Sequence, residues 1–451
     1  MEEKPEVDVA AIKTNMKQSV LIGFLLLASV FGFGQEESGA NTYKKRVLES
    51  TEISFLSSYY QQDGVNAAVT GGIGTEALTD GTGTIVVSVP LNEDDVLTVD
   101  AGISAYTSAS SSNIDPFDGN ADPFQASSGA SASDLWSNAV ITYAHSSDDR
   151  NRIWSTSLSV AVEYDYFSVG IGGGHSWLFN EKNTEFTLKG NVFFDRWNAI
   201  YPIELRPFSP GGRGLNSPLF NLYPLTGNTD YNPIFEPFSD VNRNSYSLGM
   251  GFSQILGKKL QASLALDVVY QNGLLSTPFQ RVYFQDIEDS FLDGFHLADD
   301  VEHLPDTRIK TALGGRLHYY VNEYITLRSF YRYYRDDWDI RSHTASLEAP
   351  IKVSPSFTVY PSYRYYWQSA ADYFRPYNLH LSESEYYTSD FDLSAYSANQ
   401  WGLGLGYVDI FTRLNVLGFG LKSVDLKYYH YSRNIPFSSD IITLGISFIQ
   451  N

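Results

Sequence analysis

The 451-residue chain contains no cysteine. That excludes disulfides, thiolate metal sites, a thiol nucleophile and a lipid-bearing cysteine. Positive charge is scarce: 31 Lys and Arg stand against 52 Asp and Glu, a formal net charge of -21. Phosphate backbones are held by clustered positive charge, so nucleic acid is not expected as a partner. Long hydrophobic runs are missing as well. The longest, Val20 to Phe31, is about 12 residues against the roughly 20 that a spanning helix needs. Mean hydropathy is only -0.22. These values argue against a helical membrane protein. They do not argue against a β-barrel, whose strands alternate and never average to high hydropathy. The eight histidines form no recognisable Ser–His or Asp–His constellation, and no nucleophile elbow is present, so no enzyme is expected.

What is abundant is aromatic: 15% of the chain, with 32 Tyr and 28 Phe. Tyrosine suits an interface, having an apolar body and a polar tip. The segment "MKQSVLIGFLLLASVFGFGQ" has a lysine, a short apolar core and small residues before Gln35, the form of a secretory signal peptide. Residues 1–15 are acidic, wrong for the region before such a core. They are read as a mis-called extension, with 16–34 as signal peptide, 35–50 as a periplasmic lead-in and 51–451 as the body.

That body is a series of alternating runs separated by turn residues. In "RIWSTSLSVAVEY" one face carries Trp154, Leu158, Val160 and Val162, and the other Ser155, Ser157, Ser159 and Glu163. About sixteen such runs begin near 51, 79, 94, 134, 152, 167, 184, 244, 258, 307, 324, 342, 355, 398, 420 and 438. Connections after even-numbered runs are mostly short ("NEDD", "NEKN", "VNE"), and every long one follows an odd-numbered run: about 62–78, 109–133, 198–243, 273–306 and 369–397. This parity is that of a transmembrane antiparallel β-barrel of about sixteen strands, with long extracellular loops and short periplasmic turns. A soluble β protein has no reason to keep it. All seven tryptophans fall near run ends, where aromatic girdles are expected. The last run, with Phe448 near the C-terminus, resembles the signal read by the barrel-assembly machinery.

The stretch "YITLRSFYRYYRDDWDI" then has a definite reading. Ile325, Leu327, Tyr331 and Tyr333 share one face, expected toward lipid; Arg328 and Arg332 share the other, expected toward the lumen. The neighbouring runs place Lys310, Arg316, Lys352 and Arg364 inward on the same wall. Glu163, Asp195, Asp267 and Glu348 are the expected inward acids, with Glu348 roughly opposite Arg332. A basic wall facing carboxylates would set up a transverse field that orients a polar or anionic solute. The competing reading is a salt-bridged plug that stiffens a closed scaffold.

Other motifs are weaker. "TGGIGTEALTDGTG" lacks the Lys-Ser/Thr pair of a phosphate loop and reads as a plain loop. In "GIGGGH" the glycines sit in an alternating run. The acidic loops offer Asp115, Asp118, Asp122, Asp286, Glu288 and Asp289 as candidate Ca²⁺ ligands, for instance in bridging to lipopolysaccharide, but at no EF-hand spacing. The long 198–243 loop has no period and is expected either to plug the barrel or to meet a partner outside.

As a set, "NSYSLGMGFSQIL", "LLSTPFQRVYF", "EHLPDTRIKTALGGRL" and "FYRYYRDDWDIRSHTASLEAPIKV" resemble a family of uncharacterised outer-membrane barrels common in Bacteroidota, filed as a domain of unknown function. The resemblance spans nearly the whole mature chain. It implies an outer-membrane location and a barrel fold but no catalytic residue. It also implies a genomic neighbourhood of a thioredoxin-like protein, a flavin transferase and a small lipoprotein, and through these a role as a scaffold for periplasmic or surface partners in extracytoplasmic redox or metal handling. The expected function is a channel or binding component for a small polar or anionic solute, with the scaffold barrel as alternative.

Overall fold

The computed structural model describes residues 45–106, 134–221, 224–292 and 294–450. The proposed leader and Asp115, Asp118 and Asp122 lie outside the described residues. Within the compact unit Arg46–Asn451, sixteen long strands follow one another in chain order. They are β1 Glu52–Gly64, β2 Leu78–Pro90, β3 Asp95–Tyr106, β4 Asp134–Ser146, β5 Arg152–Val162, β6 Tyr166–Phe179, β7 Thr184–Trp197 and β8 Asn242–Gly257. The second half comprises β9 Leu260–Gly273, β10 Thr307–Tyr320, β11 Thr326–Asp336, β12 Arg341–Glu348, β13 Phe357–Gln368, β14 Tyr396–Val408, β15 Phe419–Arg433 and β16 Phe437–Gln450. Each pairs antiparallel with the next, and β16 returns to β1 from Glu52↔Ile449 to Gly64↔Phe437. Two two-residue ladders, Ile351–Lys352 and Asn415–Val416, extend the sheet at the short-turn end. Closure leaves no long edge strand unpaired, which is what a bilayer demands of a sheet. Strand number and sidedness of the loops agree with the sequence reading.

Local chemistry makes the short turns. Asn92 accepts from the Asp94 and Asp95 amides at 2.8 and 2.9 Å, and Asn322 from those of Tyr324 and Ile325, both at 2.9 Å. These are side-chain-closed turns, which asparagine favours. In "NEKN" Asn180, Glu181 and Lys182 all take positive φ, which tightens the β6–β7 link.

The outward face is greasy on every side of the ring. Phe55, Ile103, Ile141, Leu158, Ile171, Leu248, Leu264, Leu313, Tyr331, Leu347, Leu403, Leu426 and Ile442 are all exposed. A band that continuous has lipid, not water, as its partner. Trp154 and Trp177 pack with Tyr143 and Phe186 near the short turns. Trp367 and Trp401 pack with His343 and Tyr363 near the long loops. These are girdle positions at both rims. Three tryptophans depart from the expectation. Trp136 pairs with Ser104 on the inward parity. Trp197 is 5% exposed, inside and against Tyr166, and Trp338 is 3% exposed, within a loop core. Proximity to a run end does not decide which way an indole points; strand parity and loop packing do.

Leu313 sits mid-strand on β10 at 52% exposure. Leu313→Arg should cost about 2–4 kcal/mol in refolding into lipid vesicles, the penalty of a cation at the midplane. A cost near zero in a urea titration would place this face in water.

Candidate functional site: a charged bore under a cap of loops

The register carries the lumen-facing set around the whole ring. On β10, Lys310, Ala312, Gly314, Arg316 and His318 point inward, opposite Asp336, Tyr334, Arg332, Phe330 and Arg328 on β11. Next come Glu348, Ser346, Thr344 and Ser342 on β12, then Ser362, Arg364, Tyr366 and Gln368 on β13. Lys352 pairs with Thr358 on that same face. The six cations named from the sequence therefore share one wall, β10 to β13. Arg316 lies over Phe330 at 5.5 Å and Arg332 over Tyr334 at 5.6 Å. Long cationic side chains here rest on aromatic faces while keeping their heads toward the bore.

The acids are arranged differently from the expectation. Glu348 stands opposite Arg328, not Arg332, and pairs with it at 2.9 Å. The β11–β12 hairpin turns earlier than its composition suggests, at Asp337–Ile340, with Asp339 at φ 61°. Asp195 is bonded to Arg243 at 3.0 Å. Asp267 belongs to β9, beside the basic wall, and interacts with Arg332 and Lys189. Glu163 is buried at the rim, in the link between β5 and β6, beside Asp165. None of these four faces the cations across the bore. Among the residues whose side chains are described, the inward acids that do so are Asp80 on β2 and Asp100 on β3. In a ring of sixteen, β2 and β3 lie eight strands from β10 and β11. The signal for them is present in the sequence as lone aspartates on the polar parity of runs two and three, but their facing partners depend on ring closure.

The long loops are not open. The described residues of 65–77, 198–241, 274–306 and 369–395 fold together, and the five apolar core clusters among the described residues all involve these loops. One guanidinium ties three loops: Arg281 grips Glu204 at 2.7 and 3.2 Å and donates to the Val69 carbonyl at 3.0 Å. Val69 hangs from β1–β2 and Arg281 from β9–β10, eight strands apart in the ring. Chain therefore crosses the mouth. Beneath it, inward residues at the loop end are buried, among them Gln62, Ser245, Gln271, Asp336, Gln368 and Ser439. The glycine-rich loop that mimics a phosphate cradle is part of this cap. Gly71 and Gly72 take φ 81° and 91°, and a Cβ on either would meet Tyr283 or the Ser389 carbonyl within 2.7 Å. Glycine is needed there for close packing, not for a ligand. The 198–243 loop joins the cap with three other loops and does not plug the bore alone.

The cap holds several buried carboxyls. Glu302 accepts from the Thr388 hydroxyl at 2.5 Å and the Thr277 amide at 2.7 Å. Burial pushes it up to about 7, Asp299 up to about 7 and Asp300 up to about 6. Asp390 is pushed up to about 8 by burial and by the charges of Asp392 and Glu302. Two of the Ca²⁺ candidates are engaged within the cap. Asp286 accepts from the Ser382 amide and hydroxyl at 2.9 and 2.7 Å, and Asp289 lies 3.5 Å from His296. Among the described residues no group of three donors is placed to hold a metal ion.

The family described as "Protein of unknown function (DUF3570)" matches residues 134–432. The chain belongs to the DUF3570 family. No curated protein matches it. Solved structures resemble this DUF3570 barrel loosely. A bacterial polysaccharide outer membrane secretin is 9% identical, over 90% of this chain and 100% of that one, at TM-score 0.42. The siderophore receptor PirA of Pseudomonas aeruginosa is 10% identical over 90% of this chain, at TM-score 0.38, and the DUF3570 chain spans 62% of it. OccD3 (OpdP) of Pseudomonas aeruginosa is 8% identical over 90% and 92%, at TM-score 0.38. The barrel assignment rests on the closed pairing of the chain's own first and last strands.

Proposed function

We propose that this DUF3570 protein is an outer-membrane barrel that admits a small polar or anionic solute from its periplasmic mouth into a charged bore, the cap governing release on the other side. The observation that carries the reading is the contiguous basic wall, Lys310, Arg316, Arg328, Arg332, Lys352 and Arg364. The strands of that wall, β10 to β13, carry two inward acids among the described residues, Glu348, bonded to Arg328, and Asp336, held by Arg308, and Asp267 on the neighbouring β9 interacts with Arg332. Scaffolding is the second reading, favoured by the cap itself, whose packed cores make a folded outer surface suited to a partner.

Planar-bilayer recordings of the full chain distinguish the two. Wild type should show rare, brief openings. The double variant Arg332→Ala/Arg364→Ala should move the reversal potential across a salt gradient toward cation selectivity, since fixed charge in a narrow pore sets its ion preference. Silence from wild type and from every cap variant would leave the scaffold.

A further inference from the structure

The bore has two unlike diameters. Along one, β6 faces β14, eight strands away. Each strand presents three inward glycines in alternation: Gly170, Gly172 and Gly174, and Gly402, Gly404 and Gly406. Neighbouring side chains fold onto these glycines. A Cβ on Gly170 would meet the Phe193 ring at 2.6 Å, one on Gly402 the Tyr429 ring at 2.4 Å, and one on Gly406 the Tyr360 ring at 2.9 Å. The glycines thus let bulky rings lie flat along the wall instead of projecting into the bore.

Across the perpendicular diameter the walls are opposite in charge. Among the residues whose side chains are described, β2 to β4 bring no Lys or Arg to the lumen, and their inward acids are Asp80 and Asp100. Asp80 is satisfied by the Thr82 and Ser104 hydroxyls at 3.0 and 2.6 Å. Asp100 is not: its Oδ1 is buried and accepts no hydrogen bond from the described residues. A carboxylate oxygen buried without a donor is costly unless a ligand or water completes it. Facing it are β10 and β11 with Lys310, Arg316 and Arg332. Asp336, at their loop end, is held by Arg308, and Asp267 on β9 shares its interaction between Arg332 and Lys189.

We propose that the bore is a site for a small zwitterion, an amino-acid-like solute lying across the charged diameter with its ammonium on Asp100 and its carboxylate on the Arg316–Arg332 wall. This rests on the reading that the lumen takes a solute, and it narrows that solute's class. A simple anion meets the basic wall but leaves Asp100 facing it with like charge; a simple cation suffers the converse. Only a dipolar solute satisfies both sides, and complementary potentials of this kind act mainly on specificity. The glycine-lined diameter leaves room for its uncharged body.

The test is calorimetric binding to the full chain in detergent, with three probes of similar size: glycylglycine (zwitterion), N-acetylglycine (anion) and glycylglycinamide (cation). Heat-modifiable gel migration checks that each variant is a closed barrel. Glycylglycine should bind about tenfold more tightly than either other probe. Asp100→Asn should weaken glycylglycine while leaving N-acetylglycine unchanged or tighter. Arg332→Gln should weaken both. Gly172→Leu, which drives a side chain into Asn191 and Ser157, should abolish binding of all three in a barrel that still folds. N-acetylglycine binding as tightly as glycylglycine, indifferent to Asp100→Asn, would overturn the zwitterion site and leave an anion bore standing. No binding by any probe, together with no current, would remove the solute reading itself.

Discussion

Arg433→Ala should turn a mostly closed barrel into a mostly open one. The Arg433 side chain is 4% exposed and reaches Asp392 of the 369–395 loop at 2.7 Å. Its guanidinium lies over Tyr396 at 4.4 Å and Phe437 at 4.1 Å. Beside it, Gln368 donates to the Asp392 and Ser394 carbonyls at 2.8 and 2.6 Å. These contacts fasten the end of one cap loop to the inner wall. Removing one partner of a buried ion pair costs about 3–5 kcal/mol, because the other charge is left stranded. The strand ladders do not depend on Arg433, so the loss falls on cap docking. A change of that size alters the ratio of closed to open cap by about a hundredfold or more. Single-channel open probability should rise accordingly, with the variant still migrating as a folded barrel on unheated gels. A folded variant that conducts no better than wild type would mean that the cap is not the barrier.

The second large effect is pH. Asp299, Asp300, Glu302 and Asp390 have docked values of about 7, 6, 7 and 8, set first by burial. In an undocked, hydrated cap they return toward the ordinary carboxyl value of about 4. The sign follows from proton linkage. Between pH 4 and these raised values the docked cap binds more protons than the undocked one, so docking is strongest in acid and weakens as pH rises. Every tenfold difference in proton affinity between the docked and undocked cap is worth about 1.4 kcal/mol. Three histidines act the other way: burial pushes His380 down to about 4 and also lowers His296 and His303. They resist docking below about pH 6.5. The slope is therefore softened there and unopposed above it. Protease nicking of the loops, or amide exchange within them, should stay low near pH 5–6 and climb steeply by pH 8. Asp390→Asn should flatten the upper part of that rise. A cap equally protected at pH 6 and pH 8 would show that these carboxyls do not ionise on undocking.

Much of this was legible one strand at a time. Alternation is local: once Leu313 and Leu317 are assigned to one side, Lys310 and Arg316 follow on the other. The same rule orients Arg328 and Arg332 on β11 and Arg364 on β13. The short turns announce themselves through Asn92 and Asn322, whose side chains close them. Composition places the hairpin between β11 and β12 too late, because "RDDWDI" offers several turn residues in a row. Moving its centre shifts Glu348 from Arg332 to Arg328.

The sequence by itself determined the barrel, its even strand number, the end at which the long loops lie, and the strand face that carries Lys310, Arg316, Arg328, Arg332 and Arg364, because a period of two is written into each run. Only the tertiary structure decided that Asp100 faces the basic wall, that two glycine stripes share a diameter, and that four loops close one mouth. Those relations join residues anchored eight strands apart. They depend on how many strands complete the ring and on apolar loop residues that carry no period, so no local pattern encodes them.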